Sequence, residues 1–193
     1  LGLYSNVSLF PHGILDFDPN TSLVNSFYQE RVSHMNARIP HLASFGFCLP
    51  NKGFPELVMA IKLMRERNFE CNLTLLTSKY SSDYNYFCDD LVKLVKSLEL
   101  NDLITINFEY LSDSSLLDFL SRVDLVIFPY QTTAESSSAA VRHGIASQSE
   151  VAVTPLDIFN DVEEVVHKLP GITPAKISDG IVELLSSNIN QRK

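Results

Sequence analysis

The chain has 193 residues, 45% of them hydrophobic and 20% charged, which is enough to bury the core of one ordinary domain. Its 15 basic and 23 acidic residues give a net charge of −8, and no basic run exceeds the alternation Arg65-Glu66-Arg67, which argues against a nucleic-acid partner. Three widely spaced cysteines, Cys48, Cys71 and Cys88, form neither a disulfide framework nor a Cys-x-x-Cys metal site and point to a reducing, cytoplasmic setting, and no run approaches the roughly 18 apolar residues of a membrane span.

The first residue is Leu1, with no signal-peptide pattern behind it, so the chain reads as a fragment of a longer protein. Residues 6–10 (NVSLF) alternate as a short strand and stop at Pro11-His12-Gly13; residues 16–36 are polar, with a turn signal at Asp18-Pro19-Asn20. Residues 1–40 are therefore expected to be an entry strand and linker. Residues 41–47 (HLASFGF) form the first core strand, running into Cys48-Leu49-Pro50-Asn51-Lys52-Gly53; Pro55 and Glu56 then open a helix with Leu57, Ile61 and Met64 at helical spacing. Residues 71–78 read as a second strand, and Ser82-Asp83 as the cap of a helix striped by Phe87, Leu91, Leu94, Val95 and Leu98. Residues 103–108 form a third strand, after which Ser112 or Asp113 caps a helix through Leu116, Leu117 and Leu120.

The stretch 124–155 has the densest chemical signal. Leu125 to Phe128 is continuously apolar, as in a strand covered on both faces, and Pro129 stops it. A polar loop leads to Glu135 and to Ser136, Ser137 and Ser138, which open a helix expected over residues 136–143; a further strand over 151–154 ends at Pro155. At a strand–loop–helix junction the unpaired N–H groups and the positive end of the helix dipole face the crevice beyond the strand, a place suited to phosphates. Serines there are also ordinary helix caps. Leu169-Pro170-Gly171 reads as a small edge element, and a last helix starts near Pro174 and buries Ile177, Ile181, Leu184 and Leu185.

Strands and helices alternate at least five times, with crossovers long enough for parallel connections, so residues 41–193 are expected to fold as α/β: a doubly wound parallel sheet, a single Rossmann-like domain. The dinucleotide fingerprint G-x-G-x-x-G is absent, which argues against a nicotinamide or flavin cofactor. No G-x-S-x-G elbow makes the serines nucleophiles, and the five histidines and the carboxylates show no metal-ligand spacing.

Four segments together resemble the C-terminal half of the retaining glycosyltransferases of the GT-B fold, family 4. The entry NVSLFPHG is similar to that family's "NV-x-x-x-PHG"; GFCLPNKG, with Gly46, Lys52 and Gly53, resembles its "GR-x-x-x-x-KG" loop; Tyr110-Leu111-Ser112-Asp113 followed by Val123-Asp124-Leu125 resembles its "G-x-L-S-D…ADL"; and ESSSAAVRHGIASQSEVAVTP resembles its E-x7-E region. The resemblance implies transfer of a sugar from a nucleotide-diphosphate-sugar donor to an acceptor, in polysaccharide or glycoconjugate synthesis. It implies no metal or other cofactor. Lys52 and Glu135 would be catalytic, Lys52 on the leaving diphosphate and Glu135 on the donor sugar. Donor binding would fall to Gly46, Lys52, Gly53, Tyr110, Glu135, Ser136, Ser137, Ser138 and His143.

The family's diphosphate arginine is Phe47 here, its second, ribose-binding acid is His143, and the glycine before its "PV" strand is Gln148. Three residue readings stay open on sequence: Lys52 is a diphosphate ligand or a solvated loop lysine, Tyr110 faces a base or packs, and either His143 or Arg142 faces the ligand. The resemblance further implies a partner, a Rossmann-like N-terminal domain missing from this chain. Without that domain the fragment is expected to be inactive, and any membrane association would come through the missing part. The competing reading is a degenerate nucleotide-sugar-binding or scaffolding module without catalysis.

Overall fold

The computed structural model describes residues 12–18 and 39–191, so the strand expected over 6–10 and most of the expected linker lie outside the described residues. Six strands, β1 (His41–Phe47), β2 (Asn72–Ser78), β3 (Ile104–Asn107), β4 (Leu125–Phe128), β5 (Val151–Val153) and β6 (His167–Lys168), form one sheet in the order β3-β2-β1-β4-β5-β6. Every neighbouring pair is parallel. The helices are α1 (Phe54–Glu66), α2 (Asn85–Ser97), α3 (Asp113–Leu120), α4 (Ala139–Ala146) and α5 (Pro174–Gln191).

The strands β1, β2, β4 and β5 split their side chains between two cores. Leu125 and Ile127 of β4 join Leu42, Leu73 and Leu75 beneath α1, α2 and α5, whereas Val126 and Phe128 join Ala43, Leu76 and Val153 beneath α3 and α4. That is why β4 is apolar without alternation: both of its faces are covered. Burying one such Leu, Ile or Phe side chain contributes about 2 kcal/mol, so the sheet's helix-covered faces dominate the stability.

Strand order fixes where a ligand can enter. The chain runs outward from β1 to β3, then crosses back to β4 and proceeds the other way, so the loops after β1 and β4 leave in opposite directions. The crevice between them lies beyond the carboxyl ends of the strands, the ligand position of open parallel sheets.

Four local expectations need correction. α4 begins at Ala139 rather than at residue 136, because Ser138 is the residue whose side chain caps it, accepting from the Val141 N–H at 3.3 Å. Glu135 therefore lies in the loop, and residues 135 and 143 are not two turns apart on one helix. α2 starts at Asn85, without a side-chain cap, after a short 3-10 turn Ser82–Tyr84 that takes up the two residues expected to cap it. The edge strand is His167–Lys168, two residues before the expected segment; Pro170 cannot donate to a ladder, while the Leu169 N–H still reaches the Val153 carbonyl at 2.8 Å. Residues 155–162, which read as a loop on sequence, lie largely within a 3-10 helix, Asp157–Val165, that buries Ile158, Phe159 and Val162.

Candidate functional site

The loop after β1 is set by Gly53. Its φ of +72° is in the left-handed region, and a Cβ there would lie 1.8 Å from the Pro129 carbonyl oxygen. Only glycine lets the loop after β1 close onto the loop after β4, where the Gln131 N–H also donates to the Asn51 carbonyl at 2.9 Å. The two loops lock together at the strand order's reversal. The 3-10 turn Pro50–Lys52 is thereby aimed across the seam.

Lys52 is the consequence. Only 8% exposed, it reaches Glu135 Oε2 at 3.1 Å and lies 4.1 Å from the centre of the buried Tyr130 ring. Asn51 Nδ2 donates to Glu135 Oε1 at 3.1 Å, so two consecutive residues of one turn hold one carboxylate from the other loop. A solvated loop lysine is excluded. The Lys52 side chain is desolvated, over a π-face and beside a carboxylate.

The segment before α4 is held from behind. Arg142 is buried and donates through Nη1 to the Ser138 carbonyl at 2.6 Å and to Ser137 Oγ at 3.1 Å, through Nη2 to Asp161, and through Nε to the His12 carbonyl at 3.2 Å. Arg142 thus turns away from the crevice, and His143 is the residue that faces it. The His143 ring stands edge-on to Phe45 at 5.4 Å, with Nδ1 3.2 Å from the Ala139 carbonyl and Nε2 3.3 Å from Asp113 Oδ1.

A crevice of about 500 Å³ opens between these parts, lined by Gly46, Lys52, Tyr110, Glu135, Ser137, Ser138 and His143 among others. Seven of the expected site residues therefore converge on one cavity. Two do not reach it: Gly53 packs on Pro129, and Ser136 is not among the lining residues. Gly46, with φ +148°, leaves open space where a side chain would stand. Tyr110 does not pack but is 79% exposed at the mouth, and Phe47, 43% exposed, leans edge-on against Tyr80 at 5.2 Å.

The serine hydroxyls serve the loop more than the cavity. Ser137 donates to Asp161, and Ser138 caps α4 and hydrogen-bonds with the Tyr130 hydroxyl at 3.2 Å. The helix-end N–H groups beside the crevice belong to Ala139 and Ala140. Among the described residues, no three His, Cys, Asp or Glu side chains cluster as a metal-ligand set.

Sequence reasoning missed Asn51, Tyr130, Arg142 as a brace, Asp161 and Asp113 as a crevice residue. Asn51 and Tyr130 flank segments already singled out and were within reach; the Arg142–Asp161 pair carries no motif.

No family model matches the sequence, and no curated protein matches it significantly. Solved structures do match in fold. The C-terminal domain of a glycosyl transferase group 1 family protein from Francisella tularensis superposes with a TM-score of 0.65 at 16% identity, covering 88% of each chain. A glycosyltransferase from Rickettsia africae gives a TM-score of 0.70 at 16% identity over 88% of this chain and 44% of its own. Sucrose-phosphate synthase from Thermosynechococcus elongatus gives 0.69 at 16% identity over 89% of this chain and 42% of its own. The chain spans less than half of these two longer proteins and most of the isolated domain. Its fold is that of the C-terminal domain of GT-B glycosyltransferases.

Proposed function

We propose that this chain is the donor-binding half of a retaining glycosyltransferase that takes a sugar from a nucleotide-diphosphate-sugar donor, in polysaccharide or glycoconjugate synthesis. The observation that carries the reading is the Lys52–Glu135 pair, closed across the seam where the strand order reverses. A donor's diphosphate would draw Lys52 from Glu135, and the N–H groups of Ala139 and Ala140 would complete its cradle. Glu135, released, would accept from hydroxyls of the sugar. Catalysis would rest on positioning and on stabilising the leaving diphosphate, with no metal or other cofactor. The other wall of the cleft, and with it the acceptor, would come from an N-terminal Rossmann-like domain. Among the described residues no helix is long and apolar enough to cross a membrane, and Cys48, Cys71 and Cys88 are buried and unpaired. A cytoplasmic location remains our proposal, resting on the odd number and wide spacing of the three cysteines in the sequence.

A second reading has its own observation. Phe47 occupies the position of a second cation, and the crevice carries Glu109, Asp113 and Glu135 against Lys52 as its fixed positive charge, a balance that disfavours a diphosphate. A nucleotide-sugar-binding or scaffolding module without turnover accounts for that balance. Assaying sugar transfer and donor hydrolysis by the full-length protein, with a panel of UDP-, GDP- and ADP-sugars, separates the two. An enzyme turns over at least one donor and loses that turnover in Glu135→Gln; binding without any turnover of wild type assigns the module.

A further inference from the structure

The crevice also shows how the ligand's hydroxyls are held, an inference that rests on the nucleotide-sugar reading. Recognition of a vicinal diol needs an acceptor with several lone pairs, which a carboxylate has and an imidazole lacks. At the crevice wall stands His143, and both of its ring nitrogens face groups that only accept: the Ala139 carbonyl and the Asp113 carboxylate. With the Ala139 carbonyl against one nitrogen and the Asp113 carboxylate against the other, neither nitrogen is turned to an incoming hydroxyl. Its contact with Phe45 fixes its plane as well. The ring is a holder, and what it holds is Asp113.

Asp113 is the first residue of α3, directly after the Ser112 cap, and lines the same crevice. Its side chain is 64% exposed, Oδ1 meets His143, and Oδ2 has no hydrogen-bond partner among the described residues. Glu135 is held by Lys52 and Asn51 in this structure and, once released by a diphosphate, is assigned above to the donor sugar, whereas Asp113 keeps an open oxygen from the start. His143 lies four residues into α4 from Ala139, about 6 Å along the axis at 1.5 Å per residue. The pair therefore sits beside the position of an anion at the α4 N-terminus, not on it.

We infer that Asp113 is the diol-binding residue of the crevice and His143 its positioning residue, so that the acceptor for adjacent hydroxyls comes from α3 instead of α4. The hydroxyl pair belongs to the ribose of a nucleoside diphosphate or to the transferred sugar. The charged groups around the His143–Asp113 pair are Glu109 on the loop before α3, and Lys52 and Glu135 on the loops after β1 and β4.

Calorimetric titration of the full-length protein with nucleoside diphosphates, their 2′-deoxy forms and the corresponding nucleotide sugars tests this. Wild type prefers the ribo form by about tenfold, the size expected of a hydrogen bond to a charged acceptor. Asp113→Ala removes that preference, so that ribo and deoxy forms of each nucleotide bind alike, and His143→Gln reduces the ribo-to-deoxy ratio. Asp113→Glu restores part of it. If Asp113→Ala instead weakens only the sugar-bearing donors, Asp113 remains the diol acceptor and the diol is the sugar's. An unchanged ribo preference and unchanged sugar-donor affinity in Asp113→Ala overturn the inference while the donor-binding reading stands. Absence of binding by every nucleotide to wild type overturns both.

Discussion

Two backbone positions and one buried ring make the residue-scale physics testable. Gly53 combines a left-handed φ with a 1.8 Å approach to Pro129. Gly53→Ala should cost about 3 kcal/mol or more, lowering the melting temperature by roughly 10 °C, because neither backbone can yield without opening the seam. Glu99 shows the reverse case. It holds φ +56° after α2, and its carbonyl, not its side chain, accepts from Arg65 at 2.9 Å. Glu99→Gly keeps that bond and should stabilise the fold by about 1 kcal/mol, read as a rise of a few degrees in thermal melting.

His41 lies within β1, hydrogen-bonded with Thr74 Oγ1 at 2.9 Å, and burial pushes its pKa down to about 4, against the pull of Asp124. The unfolded chain takes up a proton near 6.5 and the folded one does not until about 4, so stability falls as pH drops through that window. The loss reaches about 2 kcal/mol at pH 5 and is complete below 4. Denaturant titrations between pH 7 and 4.5 should show this slope, flattened in His41→Gln. A parallel slope in the variant would rule the histidine out.

At the scale of elements, the strands were legible because a parallel sheet covered on both sides demands continuous apolar runs: residues 125–128 were read with the bounds the structure shows. Helix starts were less legible. Three consecutive serines are equal candidates for a cap, and which one wins depends on where the chain leaves the seam. The Arg142–Asp161 brace was invisible because its partners are 19 residues apart and belong to different elements, α4 and the 3-10 helix Asp157–Val165. That brace ties the segment before α4 to the 3-10 helix and to residue 12. Arg142→Met leaves the Ser138 carbonyl and Asp161 without this donor and should cost about 3 kcal/mol, with nucleotide affinity falling alongside because residues 135–138 lose their support. Unchanged melting in that variant would show the network to be incidental.

Over the whole molecule, topology explains why residues 83 positions apart in sequence, Lys52 and Glu135, meet. Their separation gave no sign of contact on sequence; only the two loop motifs placed each near a phosphate, and the sheet order made those places one place. The departures at Phe47 and His143 were legible as letters but not as physics. One opens the crevice mouth to an aromatic side chain, and the other fastens a carboxylate from α3. Because the chain spans under half of the longer proteins that share its fold, the isolated 193 residues should melt cooperatively yet transfer no sugar. Turnover by the chain alone would contradict that.

On the proposed reading, Lys52, held over Tyr130 by Glu135, is the crevice's anion partner. Titrating nucleoside diphosphates and nucleotide sugars into the full-length protein, wild type against Lys52→Met, tests it most directly. Wild type should bind, and the variant should lose affinity by at least about tenfold at unchanged melting temperature. Equal affinities in the two proteins would contradict it.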